Sequence, residues 1–173
     1  MKEAQRLDNM VNEMLDFSRP LELHASIENI NELLGQCIEI THEVAQKKQV
    51  TVRIDPQPTS SFISIDAVRM KQAFINLLTN EIEASPEGET VTVSSYRKGR
   101  ELIVDVGDHG CGISHDKRWK IFSPLFTTKN GGTGLGLPIT KKIVEAHQGR
   151  LEVFDNTEKG VTFRVVIPIS TDQ

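Results

Sequence analysis

The chain has 173 residues, 38% of them hydrophobic and 25% charged, enough for one domain with a substantial core or a domain plus a short appendage. A net charge of −4 excludes a polybasic membrane anchor and gives no ground for general nucleic-acid binding. The two cysteines, Cys37 and Cys111, form no CxxC pair and lack metal-ligand spacing, which suits a reducing, cytoplasmic setting. No apolar run approaches the roughly 18 residues that span a bilayer, and the first residues are charged rather than signal-like. An anchor elsewhere in a longer protein is compatible with this.

Residues 3–18 contain no helix breaker and place Leu7, Met10, Val11 and Met14 at helical i, i+3, i+4, i+7 spacing. Pro20 ends that helix. Its apolar stripe must be covered by this domain, by another copy or by a further helix, and pairing in a helical bundle or dimer is the expectation. A second helix is predicted over 29–46, with Ile30, Leu33, Leu34, Cys37, Ile38 and Val44 inward. Residues 50–54 alternate as a half-buried strand, and 62–65 read as another short one. Asp66 is a suitable N-cap for a helix burying Val68, Phe74, Ile75, Leu77, Leu78 and Ile82 and stopped by Pro86-Glu87-Gly88.

Residues 90–96 and 102–106 form a strand pair around a Gly-containing turn. From 107 to 136 the chain is glycine-rich, with only a short helical piece over 116–122. A last helix is predicted over 137–147, with Gly149 as its C-terminal glycine. Residues 151–154 and 161–167 close the chain as strands around a turn at 156–160. About six strands and three longer helices after Pro20 make an α+β fold, helices layered on one sheet.

Familiar phosphate-binding patterns fail. Gly107 and Gly112 have P-loop spacing, but Ile113 stands where lysine is needed; Gly110/Gly112 and Gly134/Gly136 lack the third glycine of GxGxxG. No HRD or DFG set is present. Four other blocks occur in order: Asn76-Leu77-Leu78-Thr79-Asn80-Glu81-Ile82-Glu83-Ala84 on the third helix; Asp108-His109-Gly110-Cys111-Gly112-Ile113 after a strand; Phe122-Ser123-Pro124-Leu125-Phe126-Thr127-Thr128-Lys129; and Gly131-Gly132-Thr133-Gly134-Leu135-Gly136-Leu137 before the last helix.

Asn76 and Asn80 stack on one helical face, and an amide carbonyl is a hard oxygen ligand suited to Mg²⁺; two solvated surface amides are the plainer reading. Asp108 ends a buried-looking strand, where an ionised carboxylate needs a donor, although Asp-His-Gly is also good turn chemistry. Gly110 and Gly112 let backbone come close to a ligand. Gly132, Gly134 and Gly136 precede a helix whose first amides suit phosphate. Lys129 reads equally as a phosphate contact or a solvated lysine on a loop, and Phe122 and Phe126 as apolar anchors.

Over residues 29–169 these blocks resemble the asparagine, first glycine, phenylalanine and second glycine boxes of the histidine-kinase branch of the GHKL ATPases. Their wording is most similar to nitrogen-regulatory and sporulation-type sensor kinases. The resemblance implies a Bergerat two-layer α/β sandwich, a mixed sheet covered on one face by helices. It implies ATP and Mg²⁺ as cofactors, Asn80 as metal ligand, Asn76 as a phosphate or water contact and Asp108 as reader of the adenine amino group. Gly110, Gly112, Lys129, Gly132, Thr133, Gly134, Leu135 and Gly136 would line the nucleotide, residues 127–131 forming a short lid. Thr162 would support Asp108 through its hydroxyl or a water.

The implied activity is transfer of the ATP γ-phosphoryl to a histidine and thence to an aspartate of a response regulator. None of His24, His42, His109, His115 and His147 has the phosphoacceptor context: Ala45-Gln46-Lys47 follows His42-Glu43-Val44 where the family's box continues to Asn or Thr and Pro. Residues 6–20 resemble the end of a dimerisation and phosphotransfer helix, so the acceptor is expected before Met1. The expected organisation is this helix over 1–20, a linker over 21–28, the ATP-binding domain over 29–170 and a tail over 171–173.

Glu81 departs from the family, which usually has a small residue there, and is expected to weaken nucleotide binding. With the missing acceptor, it leaves open a rival reading as a module that docks partners without phosphotransfer. A different GHKL enzyme, such as an ATP-hydrolysing machine, fits the Phe-Thr-Thr-Lys block less well.

Overall fold

The computed structural model describes residues 11, 14, 15, 18, 20–56, 62–129 and 132–169. Most of the predicted first helix, including Leu7 and Met10, and the tail over 171–173 lie outside them. Val11, Met14, Leu15 and Ser18 are helical and exposed.

Each helix begins and ends for a local reason. The first, α1 (Ile30–Lys48), is capped by Asn29, whose side chain accepts from the Asn31 amide, and closes at Gln49 in the left-handed region with φ 56°. The second, α2 (Ala67–Ala84), starts at Asp66, whose carboxylate accepts from the amides of Arg69 (3.0 Å) and His24 (2.9 Å). The Asp66 amide donates to His147 Nε2 at 3.0 Å, which ties this start to the end of the third helix, α3 (Gly136–Ala146). At the far end of α2, the Ser85 hydroxyl donates to the Glu81 carbonyl and Pro86 follows.

Seven strands are present among the described residues: β1 (Ser26–Asn29), β2 (Thr51–Pro56), β3 (Phe62–Ile65), β4 (Thr90–Lys98), β5 (Glu101–Gly107), β6 (Arg150–Asp155) and β7 (Val161–Pro168). Five form a sheet in the order β2-β4-β5-β7-β6, with β2 parallel to β4 and the other pairs antiparallel. The helices cover one face, with α2 central between α1 and α3. Phe74, Leu77, Leu78 and Ile82 of α2 meet Val93, Val104 and Phe163 of the sheet in one buried core. This is the mixed, helix-covered α+β sandwich expected. Among the described residues no helix is long and apolar enough to cross a membrane.

The structure departs from the sequence reading in four places. An unexpected strand, β1, pairs antiparallel with β3 as a separate two-stranded sheet. The piece over 116–122 is a chain of turns rather than a helix, closed by bonds such as Lys120 to Lys117 and Ser123 to Lys120. Val68 is 76% exposed, because it lies on the side of α2 turned away from the buried Met70, Phe74 and Leu77. Gly149 is not the left-handed cap of α3; Gln148 takes that conformation (φ 58°). Gly149 is needed for another reason: a Cβ there would collide with the Val166 carbonyl and touch the Val144 side chain.

Gly149→Ala is therefore expected to cost about 1–3 kcal/mol through overpacking, while Gln148→Gly leaves stability unchanged or raises it. Calorimetric midpoints of the two variants check this; the reverse order would mean that Gly149 serves as the cap.

Candidate nucleotide-binding site

Three chain segments converge on the C-terminal half of α2. The first is the end of β5, where Asp108 is 1% exposed. Its Oδ1 accepts from the amides of Val161 (2.8 Å) and Gly110 (3.2 Å). Its own amide donates to the Val161 carbonyl at 3.0 Å, and its carbonyl accepts from Asn156 Nδ2 at 2.7 Å. Two glycines make this possible. Gly160, at φ +85°, lies so close that any Cβ would strike the Asp108 carboxylate; a Cβ on Gly110 would come within 2.5 Å of the Ala84 carbonyl on α2.

Thr162, expected from the sequence to support Asp108 through its hydroxyl or a water, does not bond the Asp108 carboxylate itself. Its hydroxyl donates to Asn156 Oδ1 at 2.6 Å, and Asn156 carries the support to the Asp108 main chain. Asn156 and Gly160 were missed in the sequence because they read as an ordinary turn between strands; a glycine immediately before β7 was the available signal. Gly112, at φ +76°, has open space where a Cβ would point. His109 Nδ1 is fixed 2.8 Å from the Thr90 carbonyl.

The second segment runs from 122 to 129. Phe122 and Phe126 are half-buried against the core, as anchors. Lys129 Nζ donates to Asn80 Oδ1 (2.9 Å) and to Glu83 Oε2 (2.6 Å), so the oxygens of α2 already hold a cation. The third segment is the entry to α3. The Gly134 carbonyl accepts from the Leu125 amide at 3.1 Å, and a Cβ on Gly134 would fall 2.6 Å from the Leu125 carbonyl carbon. Thr133 Oγ1 accepts from the Leu135 amide at 3.3 Å, and Leu135 is buried. Asn76 Nδ2 donates to the Gly136 carbonyl at 3.3 Å. The α3 N-terminus carries no side-chain cap, leaving first-turn amides for an anion. Gly132 packs on the Thr127 hydroxyl.

Glu81 is 2% exposed, and its Oε2 meets no donor. Burial, then the neighbouring Asp108 charge, push its pKa well above the ordinary carboxylate range; Lys129 acts the other way, and a side-chain hydrogen bond with Asp108 adds to the rise. Burial beside another carboxylate thus favours the neutral form of Glu81.

That has a consequence for stability. A raised folded-state pKa means stability fully present below the unfolded value of about 4.5 and lost as pH rises from there through the folded value. Thermal midpoints of wild type and Glu81→Gln are expected to be close near pH 4.5 and to separate progressively at higher pH, the variant being more stable. A gap independent of pH would contradict the buried proton.

Residues 65–171 match the model of the family described as histidine kinase-, DNA gyrase B-, and HSP90-like ATPase, and the chain belongs to that family. It is 34% identical over 173 residues to sensor histidine kinase ZraS of Salmonella typhi, covering 99% of this chain and 37% of the relative. It is 33% identical over 171 residues to sporulation kinase C of Bacillus subtilis (strain 168), covering 98% and 40%. The chain thus spans less than half the length of these relatives. Among solved structures it resembles the catalytic domain of histidine kinase ThkA in a nucleotide-free form (TM-score 0.78, 35% identity, 84% of this chain and 96% of that one). It also resembles full-length ShkA in complex with AMPPNP (TM-score 0.88, 26% identity, 98% and 37%). ThkA in complex with response regulator TrrA is a third (TM-score 0.84, 31% identity, 98% and 49%). The chain is an ATP-binding catalytic domain of the sensor histidine kinase type.

Proposed function

We propose that the domain holds ATP with its base against Asp108 and its phosphates between Asn80, Lys129 and the start of α3, and donates the γ-phosphoryl to a histidine on a helical domain. One observation carries this reading: a buried carboxylate and a pair of amides, far apart in sequence, are brought to the same half of one helix, with the uncapped α3 N-terminus beside them. Asp108 accepts a hydrogen bond from an exocyclic amino group, while Gly110 and Gly112 let backbone lie along the base and ribose. Asn76 orients the Gly136 carbonyl, and the α3 amides receive phosphate oxygens.

Magnesium fits the site, because Asn80 Oδ1 and the Glu83 carboxylate already bind an ammonium. Asn80 would hold it, phosphate oxygens and waters completing its coordination. When bound, it neutralises charge on the transferring phosphoryl group. The chain's own part is positioning and exclusion of water.

The organisation proposed is the end of a dimerisation and phosphotransfer helix over 1–20, a linker, the catalytic domain over 29–170 and a short tail. The partners are an acceptor-histidine helical domain, a second copy through the N-terminal helix, and a response regulator, as ThkA has in its complex with TrrA; the setting is cytoplasmic. The buried Glu81 beside Asp108 favours one rival, a module that docks partners without phosphotransfer.

Calorimetric titration with ATP is expected to show at least a tenfold loss of affinity in Asp108→Asn, the order of a hydrogen bond to a charged group. Wild-type affinity should also fall when Mg²⁺ is removed. Mixing the domain with a separate acceptor-histidine helical domain and labelled ATP should place acid-labile label on the helices. Binding without transfer would support the docking module, and unchanged affinity in Asp108→Asn would remove the base-reading role.

A further inference from the structure

Leu125 and Gly134 are joined by a hydrogen bond, and the residues that follow Leu125 are shaped to present one side chain. The Lys129 amide donates to Thr127 Oγ1 at 3.0 Å, and the Gly132 amide donates to the Lys129 carbonyl at 3.3 Å. The Lys129 ammonium reaches back across the site to α2. There it meets two oxygens one helical turn apart, Asn80 Oδ1 at 2.9 Å and Glu83 Oε2 at 2.6 Å. Residues three apart on a helix present neighbouring side chains, so Glu83 stands beside Asn80 as the second wall of a cation seat. The side chains of Lys129 and Glu83 are only 36% and 45% exposed.

We propose that Glu83 is a positioning residue of the nucleotide site: with Asn80 it holds the Lys129 ammonium on the seat of the incoming divalent cation, latching the stretch that ends at Lys129 to α2 until that cation arrives. The proposal rests on the nucleotide reading given above. A divalent cation held by Asn80 would need the oxygen that Lys129 now uses, and its double charge would favour it there over an ammonium. Lys129, displaced from Asn80, is then free to follow the phosphates, and its pairing with Glu83 ends. Metal-free nucleotide brings no such competitor and leaves the latch in place. Glu83 thereby sets where the lysine waits, while never touching the base.

Hydrogen exchange of residues 123–129 tests this on wild type, Glu83→Gln, Lys129→Met and the double variant. Without nucleotide, each single change should speed exchange about two- to fivefold, the range of a half-exposed ion pair, and the double variant should exchange no faster than the singles. With saturating Mg²⁺–ADP this coupling between positions 83 and 129 should vanish; with ADP and a chelator it should remain. Additive effects in the nucleotide-free protein, or a coupling that persists with Mg²⁺–ADP bound, would overturn the latch, since a merely structural ion pair behaves in the second way. Failure of ADP to bind any of the four proteins would instead remove the nucleotide reading, and the nucleotide-free exchange would still report on the latch.

Discussion

A carboxylate taken fully out of water must be met by donors or give up its charge, and the site is built around that requirement at Asp108. Main-chain amides from the turn after β5 and from the start of β7 converge on one of its oxygens. Asn156 clamps its carbonyl, and Gly110 and Gly160 are bare so that α2 and the β6–β7 turn can close around it. Glu81 adds to the enclosure from α2, where burial and the Asp108 charge favour its neutral form. The strand end, the helix and the β6–β7 turn therefore cannot move independently: shifting any of them unbinds a buried charge. Asn76 and Asn80, on the lid-facing side of that helix, inherit their positions from the same arrangement.

The other end of the site is held differently. Around Lys129 the bonds are side-chain bonds and half-exposed, and they join a turn to a helix rather than a strand to a helix. Interactions of this kind are weak and easily exchanged. On the proposed reading, a buried base-reading carboxylate beside a half-exposed, exchangeable lysine suits a domain that admits nucleotide, holds it and releases the product. The uncapped start of α3 is tied to α2 by the Asn76–Gly136 hydrogen bond and by the Thr140 hydroxyl, which donates to the Ala73 carbonyl.

The helices and the large sheet were legible in the sequence because their signals are local: the cap Asp66, period-2 strands in β4 and β5, and the apolar face of α2. The four boxes marked most of the site because their residue types are rare in combination. What escaped depended on distant partners. Strand β1 is four residues long and exists only against β3. Gly149 looks like a cap until Val166 is known to lie against it. Val68 is apolar but lies on the side of α2 turned away from the buried Met70, Phe74 and Leu77. Thr162 was placed beside Asp108 correctly in space, yet the intervening Asn156 carries no sequence mark. Glu81 stood out as an oddity; only its packing against Asp108 gives the oddity a chemical form, a neutral acid.

The central claim is that Asp108 reads an amino group on the base. The direct measurement is a comparison of ATP with inosine triphosphate, which differs in carrying an oxo group where adenine has its amino group, followed through the backbone amide resonances of Gly110 and Val161. The account predicts that both amides shift on addition of ATP and that inosine triphosphate binds at least tenfold more weakly, as expected when a buried acceptor loses its donor. Equal affinity for the two nucleotides, with those amides unmoved, would contradict it.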